Sequence, residues 1–151
     1  MDILVDLDGT LTDCRHRQHY LDGKKDWDSF FGGMFADPPN RAVLSVVVTM
    51  EDMGHKIIYC TGRPNNYRIV TKRWLIKHQL QCELIYMRKA GDFRADHVIK
   101  FELLQEIRED GHRPDCVIDD RPSVISMWRR QGLPVFQYLQ PEDALDNDVL
   151  G

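Results

Sequence analysis

The chain has 151 residues, of which 42% are apolar and 29% charged, and its net charge is −4. This composition predicts one folded domain over residues 1–151, and the acidic balance argues against a protein that coats nucleic acid, since duplex binding needs a broad basic surface. Four widely spaced cysteines without a CxxC pair, and no apolar run near about 18 residues, predict a cytoplasmic protein with free thiols and no membrane contact.

The predicted elements begin with a short buried strand, Ile3 to Val5, that leads directly into Asp6 and a turn at Asp8-Gly9-Thr10. Residues 13–40 are polar and aromatic and contain several glycines and prolines, which indicates irregular or short helical structure. This segment is too short for a large cap domain, so we expect a small flap or minimal cap. The site beneath it should therefore be open.

Strands and helices alternate through the rest of the sequence. The predicted strands are Lys56 to Cys60, Glu83 to Met87, Asp115 to Ile118 and Val135 to Tyr138. Helices are predicted over 41–53, before the first of these strands, and over 122–130, before the last. Between them, one helix is predicted to start at Pro64, with Ile69, Val70, Trp74 and Leu75 on its apolar face, and another to follow the second of these strands, with Val98, Phe101, Leu104 and Ile107 on one face. This alternation predicts an α/β fold of three αβα layers, Rossmann-like, with a mostly parallel sheet.

Polar side chains follow three of the predicted strands. Asp6 and Asp8 follow the first strand, Thr61 and Arg63 follow the second, and Asp119 and Asp120 follow the fourth. In such a sheet, ligands bind beyond the carboxyl ends of the strands, so these side chains are expected to meet in one crevice. Four carboxylates in one place would repel each other unless a cation lay among them, and hard oxygen ligands suit Mg²⁺. The sequence therefore predicts a magnesium site made of Asp6, Asp8, Asp119 and Asp120.

The order of these motifs resembles the haloacid dehalogenase (HAD) superfamily of phosphatases. The matching residues are Asp6-Leu7-Asp8-Gly9-Thr10 after the first strand, Thr61 after the second, Lys100 near the start of a later helix, and Asp119-Asp120 at a strand end. The first motif is highly specific, and the resemblance spans nearly the whole chain. It implies a Mg²⁺-dependent phosphatase, and the shortness of residues 13–40 predicts little or no cap domain.

The resemblance also implies a covalent mechanism in which each motif has its own role. Asp6 would attack the phosphorus and become a phosphoaspartate. Asp8 would protonate the leaving alcohol and later take a proton from the hydrolytic water. Thr61 would bind a phosphoryl oxygen, and Lys100 would hold both Asp6 and the phosphate.

A narrower resemblance points to the 3'-phosphatase domain of phage-type polynucleotide kinase/phosphatase. The matching segments are Thr61-Gly62-Arg63, Met87-Arg88-Lys89, Gly91-Asp92, Asp96 to Lys100, and Ile118 to Arg129. In that family an arginine after the first motif and the arginine of the second motif assist phosphate binding, which implies Arg17, with Arg15 as the alternative, and Arg63. The implied substrate-binding residues are then Gly9, Thr10, Arg17, Gly62, Arg63 and Asp96.

Asp96 matches an aspartate that the family places four residues before its lysine, although a helix N-cap would suit the same position. The sequence has no GxxxxGK[ST] phosphate loop, so we do not expect the kinase activity of a bifunctional enzyme. Trp27, Phe30, Phe31 and Tyr67 could stack on a terminal base or belong to the core.

The substrates implied are phosphorylated DNA or RNA 3'-ends or nucleotides. One alternative is a HAD phosphatase for another small phosphorylated metabolite. A phosphoacceptor signalling domain or a non-catalytic binding module is the other, and the presence of both Asp6 and Asp8 argues against each of them.

Overall fold

The computed structural model describes residues 1–142. Within them five parallel strands form one sheet in the order β3-β2-β1-β4-β5. The strands are β1 (Asp2–Val5), β2 (Lys56–Pro64), β3 (Ile85–Arg88), β4 (Pro114–Asp119) and β5 (Val135–Gln137). The helices are α1 (Trp27–Gly32), α2 (Arg41–Asp52), α3 (Arg68–Lys77), α4 (Asp96–Glu109) and α5 (Pro122–Arg130). The predicted α/β class is confirmed, with a sheet that is parallel in all of its pairs.

The hydrophobic core lies in two layers, one on each face of the sheet, because alternate strand residues point to opposite faces. Ile3 and Val5 of β1 pack with Val47 of α2 and Trp74 of α3. Leu4 faces the other way and belongs to the layer that includes residues of α4 and α5. Helices therefore cover both faces, which confirms the predicted three-layer arrangement.

The position of β1 in the sheet decides where a ligand can bind. Strand β1 pairs with β2 on one side and with β4 on the other, so the chain builds outward in one direction to β3 and then returns to the far side of β1. A crevice opens beyond the carboxyl ends of the strands where the strand order reverses in this way. The residues that follow β1 and β4 are at that point.

Residues 13–40 contain two 3₁₀ helices, Arg15–Leu21 and Met34–Ala36, with α1 between them, as the prediction of short helical structure required. The indole Nε1 of Trp74 donates a hydrogen bond to the main-chain oxygen of Asp37 over 2.8 Å. Helix α3 thus anchors the end of the segment.

The predicted start of α3 at Pro64 is wrong, because Pro64 is the last residue of β2 and pairs with Arg88, and a 3₁₀ turn over Asn65–Tyr67 precedes the helix. Ile69 is 70% exposed, although we predicted it on the apolar face. It lies five residues before Trp74, which places it about 140° away around the helix.

Helix α4 buries part of the predicted face, since Leu104 and Ile107 are buried as predicted. Phe101 is 40% exposed, and the buried residues are Ile99, Lys100, Leu103, Leu104 and Ile107. A lysine can occupy a core position on this helix because the ammonium group of Lys100 has ionic partners inside the molecule.

The composition predicted free thiols and no membrane-spanning segment. All four cysteines are free. No helix in residues 1–142 combines the length and the apolar character that a membrane span requires.

Candidate active site

Three carboxylates meet at the crevice between β1 and β4. Asp6 directly follows β1, Asp119 is the last residue of β4, and Asp120 comes next. One oxygen from each of the three lies within 4.8 Å of the others. The Thr10 hydroxyl lies 3.0 Å from Asp120 Oδ1 and 3.3 Å from Asp6 Oδ2, so it links two of them.

Lys100 contacts this group from the buried face of α4. Its Nζ is 2.8 Å from Asp6 Oδ1 and 2.9 Å from Asp119 Oδ2. Burial alone would lower the lysine pKa, but Asp119 and Asp6 raise it well above the ordinary value, so the ammonium stays charged. No other cation of residues 1–142 is within ion-pair distance of the three carboxylates, which leaves an excess of negative charge.

The electrostatics of Asp6 show that the group suits a divalent cation. Burial raises the pKa of Asp6 well above its ordinary value, Lys100 opposes this shift, and Asp119 and Asp120 add to it. The charge that Lys100 leaves unbalanced corresponds to one divalent ion, and carboxylate oxygens are the donors that Mg²⁺ prefers. The residues therefore fit a metal of this kind.

Asp119 and Asp120 differ in their free oxygen atoms. Asp119 accepts hydrogen bonds from the main-chain N–H groups of Asp120 and Arg121 on Oδ1 and from Lys100 and Trp128 on Oδ2, so both oxygens are occupied. Asp120 is only partly buried and accepts one side-chain hydrogen bond, from Thr10. Asp120 is thus the better placed of the two for direct contact with a metal, whereas Asp119 holds Lys100.

The carboxylate of Asp8 lies outside the acidic group, so three of the four predicted metal-binding carboxylates lie together in this structure. Arg63 donates to it through Nη2 at 2.8 Å and through Nε at 3.0 Å, and Arg17 Nη2 donates over 2.5 Å. Burial would raise the pKa of Asp8, but Arg63 and Arg17 outweigh that effect and hold it well below the usual range. Asp8 is therefore ionised in this arrangement.

Arg15 and Arg17 have different surroundings in the structure. Arg17 is 1% exposed and reaches Asp8. Arg15 lies at the surface, where it pairs with Asp13 and Glu142.

Arg17 depends on a residue that sequence reasoning missed. The carboxylate of Asp37 accepts from Arg17 Nε at 2.8 Å and from Nη2 at 2.6 Å, and its side chain is fully buried. Asp37 follows a 3₁₀ turn and precedes two prolines in a segment without periodicity. No local pattern could have identified it.

Two glycines allow close approach to the acidic side chains. Gly9 has a φ of +83°, and a Cβ there would lie 2.5 Å from Asp120 Oδ2. A Cβ on Gly62 would collide with the carboxylate of Asp96. Thr61, between these motifs, is buried and accepts a hydrogen bond from the main-chain N–H of Arg63 over 3.2 Å.

Asp96 does not cap α4, so that alternative is wrong. The N-cap residue is Ala95, and Asp96 begins the helix. Its carboxylate pairs with Arg88 at 3.2 Å and Arg121 at 3.4 Å, with Lys100 Nζ at 3.8 Å. Asp96 therefore joins the two arginines to the lysine of the acidic group.

A cleft of about 640 Å³ connects Asp6, Asp8 and Asp120 with aromatic side chains. Trp27 and Phe31 stack with their ring centres 5.9 Å apart. Trp27 is 39% exposed, and Phe93, which also lines the cleft and was not predicted, is 82% exposed.

Phe30 is buried, with the Arg17 guanidinium 4.2 Å from its ring centre, so it supports the arginine from the core. Tyr67 packs against Phe31 at 5.2 Å.

The sequence and the fold match known proteins over most of the described chain. A family model for the polynucleotide kinase PNKP phosphatase domain matches residues 1–142. In a solved Pnkp1/Rnl/Hen1 RNA repair complex, a chain is 35% identical, with a TM-score of 0.76 over 91% of this chain and 42% of that one. A class C acid phosphatase from Bacillus anthracis, at 16% identity and a TM-score of 0.69, covers 93% of this chain and 66% of its own and shares the fold.

Two curated relatives are longer than this chain. A protein of Autographa californica nuclear polyhedrosis virus, provisionally named as a bifunctional polynucleotide kinase/RNA ligase, is 26% identical over 87% of this chain and 18% of its own length. A protein of Oceanobacillus iheyensis, provisionally named as a nucleotidase, is 31% identical over 69% of this chain and 52% of its own length. The chain thus spans about a fifth and about half of these relatives.

Proposed function

This chain belongs to the family of polynucleotide kinase PNKP phosphatase domains, which are HAD-type phosphatases, and on that premise we propose that it is a Mg²⁺-dependent phosphomonoesterase acting through an aspartyl-phosphate. We propose that its substrates are 3'-phosphates at nucleic-acid ends or on nucleotides. The observation that carries the proposal is the contact of the buried Asp6 with Lys100, 2.8 Å apart, beside the acidic group of Asp119 and Asp120.

Magnesium would be held by Asp6 and Asp120, with Asp119 in support. When bound, the ion would offset the negative charge that keeps a carboxylate away from a phosphate. Lys100 would add a second positive charge at the reacting atoms, because it already contacts Asp6 and stays protonated. These two contributions would let Asp6 approach the phosphorus.

The first step would transfer the phosphoryl group to an Asp6 oxygen. The bond between phosphorus and the ester oxygen breaks, and the leaving oxygen takes a proton from Asp8. In the second step water gives a proton to Asp8 and attacks the phosphorus, which frees Asp6 and releases phosphate. Atoms and charge balance over the two steps.

Asp8 must be protonated for the first step, although it is ionised while Arg17 and Arg63 hold it. A phosphate dianion in the cleft would share these two guanidinium groups with Asp8, which they would still hold in place. Asp8 would then be a buried carboxylate with weaker cationic contacts beside a dianion, which is the condition under which its pKa rises.

The family and the cleft both support a nucleic-acid or nucleotide substrate. One matching structure is that of an RNA repair complex, and one relative carries the provisional name of nucleotidase. The aromatic side chains of the cleft offer flat apolar surfaces to a terminal base, and base stacking contributes about 1–3 kcal/mol per base.

The proposal is tested by phosphate release, with Mg²⁺ and with chelator, from four substrates: a 3'-phosphorylated oligonucleotide, its 5'-phosphorylated counterpart, a 3'-mononucleotide and 4-nitrophenyl phosphate. We expect Mg²⁺-dependent release and a preference for 3'-phosphates. Equal or faster release from the aryl ester would favour a phosphatase for other small metabolites. No Mg²⁺-dependent release from any of the four would refute the proposal.

Replacing Trp27 by Ala should weaken the use of nucleic acid selectively. We expect kcat/KM for the 3'-phosphorylated oligonucleotide to fall about tenfold, in line with the loss of one stacking contact, and kcat/KM for 4-nitrophenyl phosphate to change less than about twofold. Phe35→Ala is the matched control, because Phe35 belongs to the same segment, is 43% exposed and does not line the cleft. An equal loss on both substrates would show that Trp27 only supports the fold.

A further inference from the structure

We propose that Asp37 is a positioning residue for the reaction: through Arg17 it holds the carboxylate of Asp8 where that group exchanges a proton with the leaving oxygen. The inference rests on the proposed function, in which Asp8 is the acid. It adds a residue from outside all four motifs.

Asp37 is a buried acceptor that two arginines and a histidine surround. Its side chain is fully buried, and Arg17 binds it with two parallel hydrogen bonds, Nε to Oδ1 at 2.8 Å and Nη2 to Oδ2 at 2.6 Å. His16 Nε2 is 2.7 Å from Oδ1, and Arg63 Nη2 is 3.5 Å from Oδ2. A two-point contact with a planar guanidinium fixes its orientation as well as its place.

The orientation of Arg17 determines its contact with Asp8. The same Nη2 that binds Asp37 also donates to Asp8 Oδ1, so one nitrogen joins the two carboxylates. Arg63 completes the arrangement by holding Asp8 through Nε and Nη2. Two carboxylates and two guanidinium groups therefore alternate, and removing the charge of Asp37 would leave the arginines in excess.

Asp37 itself is rigidly placed. Its main-chain oxygen accepts the indole N–H of Trp74, a residue of α3 that is 1% exposed. Pro38 and Pro39 follow it, and prolines restrict the backbone on both sides of the peptide bonds they form. The chain from α3 through Asp37 and Arg17 to Asp8 thus connects the core to the proposed acid.

A structural ion pair that only packs residues 13–40 would have the same contacts, so the test must separate the two roles. An acid is needed most when the leaving group is a poor one, as the alkoxide of a 3'-nucleotide is, and least when it is a nitrophenolate. The quantity kcat/KM reports steps up to the loss of the leaving group, because phosphoryl transfer to Asp6 comes first. The ratio of kcat/KM for an alkyl phosphate that carries no base, such as glycerol 2-phosphate, to that for 4-nitrophenyl phosphate therefore measures acid function, and a loss of base stacking by Trp27 does not change it.

We expect Asp37→Asn to lower this ratio by about 30-fold, a part of the 10²- to 10⁴-fold that a positioned acid typically contributes. The ratio is independent of the folded fraction of the preparation, since both substrates meet the same enzyme. It is also insensitive to a common loss of phosphate binding. Asp37→Glu, which keeps the charge and moves it by one methylene, is expected to give a smaller loss and serves if Asp37→Asn folds poorly.

Asp13→Asn is the matched control, because Asp13 also pairs with an arginine of the same segment but at the surface. It should leave the ratio within about twofold of the parent. The double variant Asp8→Asn with Asp37→Asn should have the ratio of Asp8→Asn alone, since Asp37 is proposed to act through Asp8.

The outcomes separate the inference from the proposed function. If Asp8→Asn lowers the ratio but neither Asp37 variant does, or if an Asp37 variant lowers both rates equally, Asp37 is only structural and the inference is wrong. If Asp8→Asn leaves the ratio unchanged, the proposed role of Asp8 fails and the inference fails with it. An additive effect of the two substitutions would show that Asp37 acts by another route.

Discussion

Replacing Asp6 by Asn is expected to lower phosphate release to background, by a factor of at least about 10⁴, while the fold is retained. The amide has the shape of the carboxylate, so the contacts with Lys100 and Thr10 can persist in altered form. It lacks the anionic oxygen that would attack the phosphorus. The measurement is phosphate release with Mg²⁺ from a 3'-phosphorylated oligonucleotide and from 4-nitrophenyl phosphate, because the nucleophile serves both substrates.

A second measurement examines the covalent step itself. Brief reaction of the parent with a ³²P-labelled substrate, followed by acid quenching, should yield labelled protein, whereas Asp6→Asn should yield none. Asp52→Asn, at the exposed end of α2, is the control and should behave as the parent does. Substantial turnover by Asp6→Asn would contradict the covalent mechanism.

The same substitution has an expected effect on stability. Burial and the neighbouring carboxylates raise the pKa of Asp6, so its ionised form is less stable in the folded protein than in the unfolded chain at neutral pH. Asn carries no charge at that pH. In chelator, the thermal unfolding midpoint of Asp6→Asn should therefore equal or exceed that of the parent.

Replacing Lys100 by Met should cost both activity and stability. The substitution removes the ammonium that contacts Asp6 and Asp119 and leaves their carboxylates buried without their cation. Breaking a buried ion pair by removing one partner typically costs about 3–5 kcal/mol. We expect a loss of that size in the free energy of unfolding in chelator, together with a fall in kcat/KM of about 10³-fold or more.

The stability of this variant should depend on Mg²⁺ more than that of the parent. A bound cation would compensate the same carboxylates, and a ligand at about 100 times its Kd stabilises the folded state by about 2.7 kcal/mol. Urea unfolding with Mg²⁺ and with chelator measures the effect. Lys77→Met, an exposed lysine at the end of α3, should change neither stability nor activity appreciably. A Lys100→Met enzyme with parental activity would mean that Lys100 does not act on the phosphate.

The two predictions differ in what they remove from the same contact. Asp6→Asn removes the nucleophile and relieves a buried negative charge, so activity and stability should change in opposite directions or stability should not change. Lys100→Met removes the compensating cation, so both should fall. Together they test whether the short contact between Asp6 and Lys100 is part of the reaction.

Much of the fold followed from local sequence patterns. The apolar runs at β1 and β2 and the alternating helices predicted the α/β class, and the polar residues at the ends of β1, β2 and β4 predicted one crevice. These features can be read locally, because the residues that follow a parallel strand lie at the carboxyl end of the sheet whatever the position of that strand in it. Asp6, Asp119 and Asp120 were expected together for this reason and lie together in the structure.

The tertiary structure decided contacts between side chains that the local sequence patterns left open. The sequence favoured Arg17 over Arg15 only by resemblance, and the packing of their segment is what turns Arg17 inward towards Asp8. Lys100 is a polar residue on the inner face of α4, contrary to the apolar pattern, because its partners come from β1 and β4. Asp37 belongs to none of the sequence motifs, and its side chain and main chain contact residues 20 or more positions away. Periodicity determines which face of an element can be buried, whereas ion pairs between distant residues form only after the elements have packed.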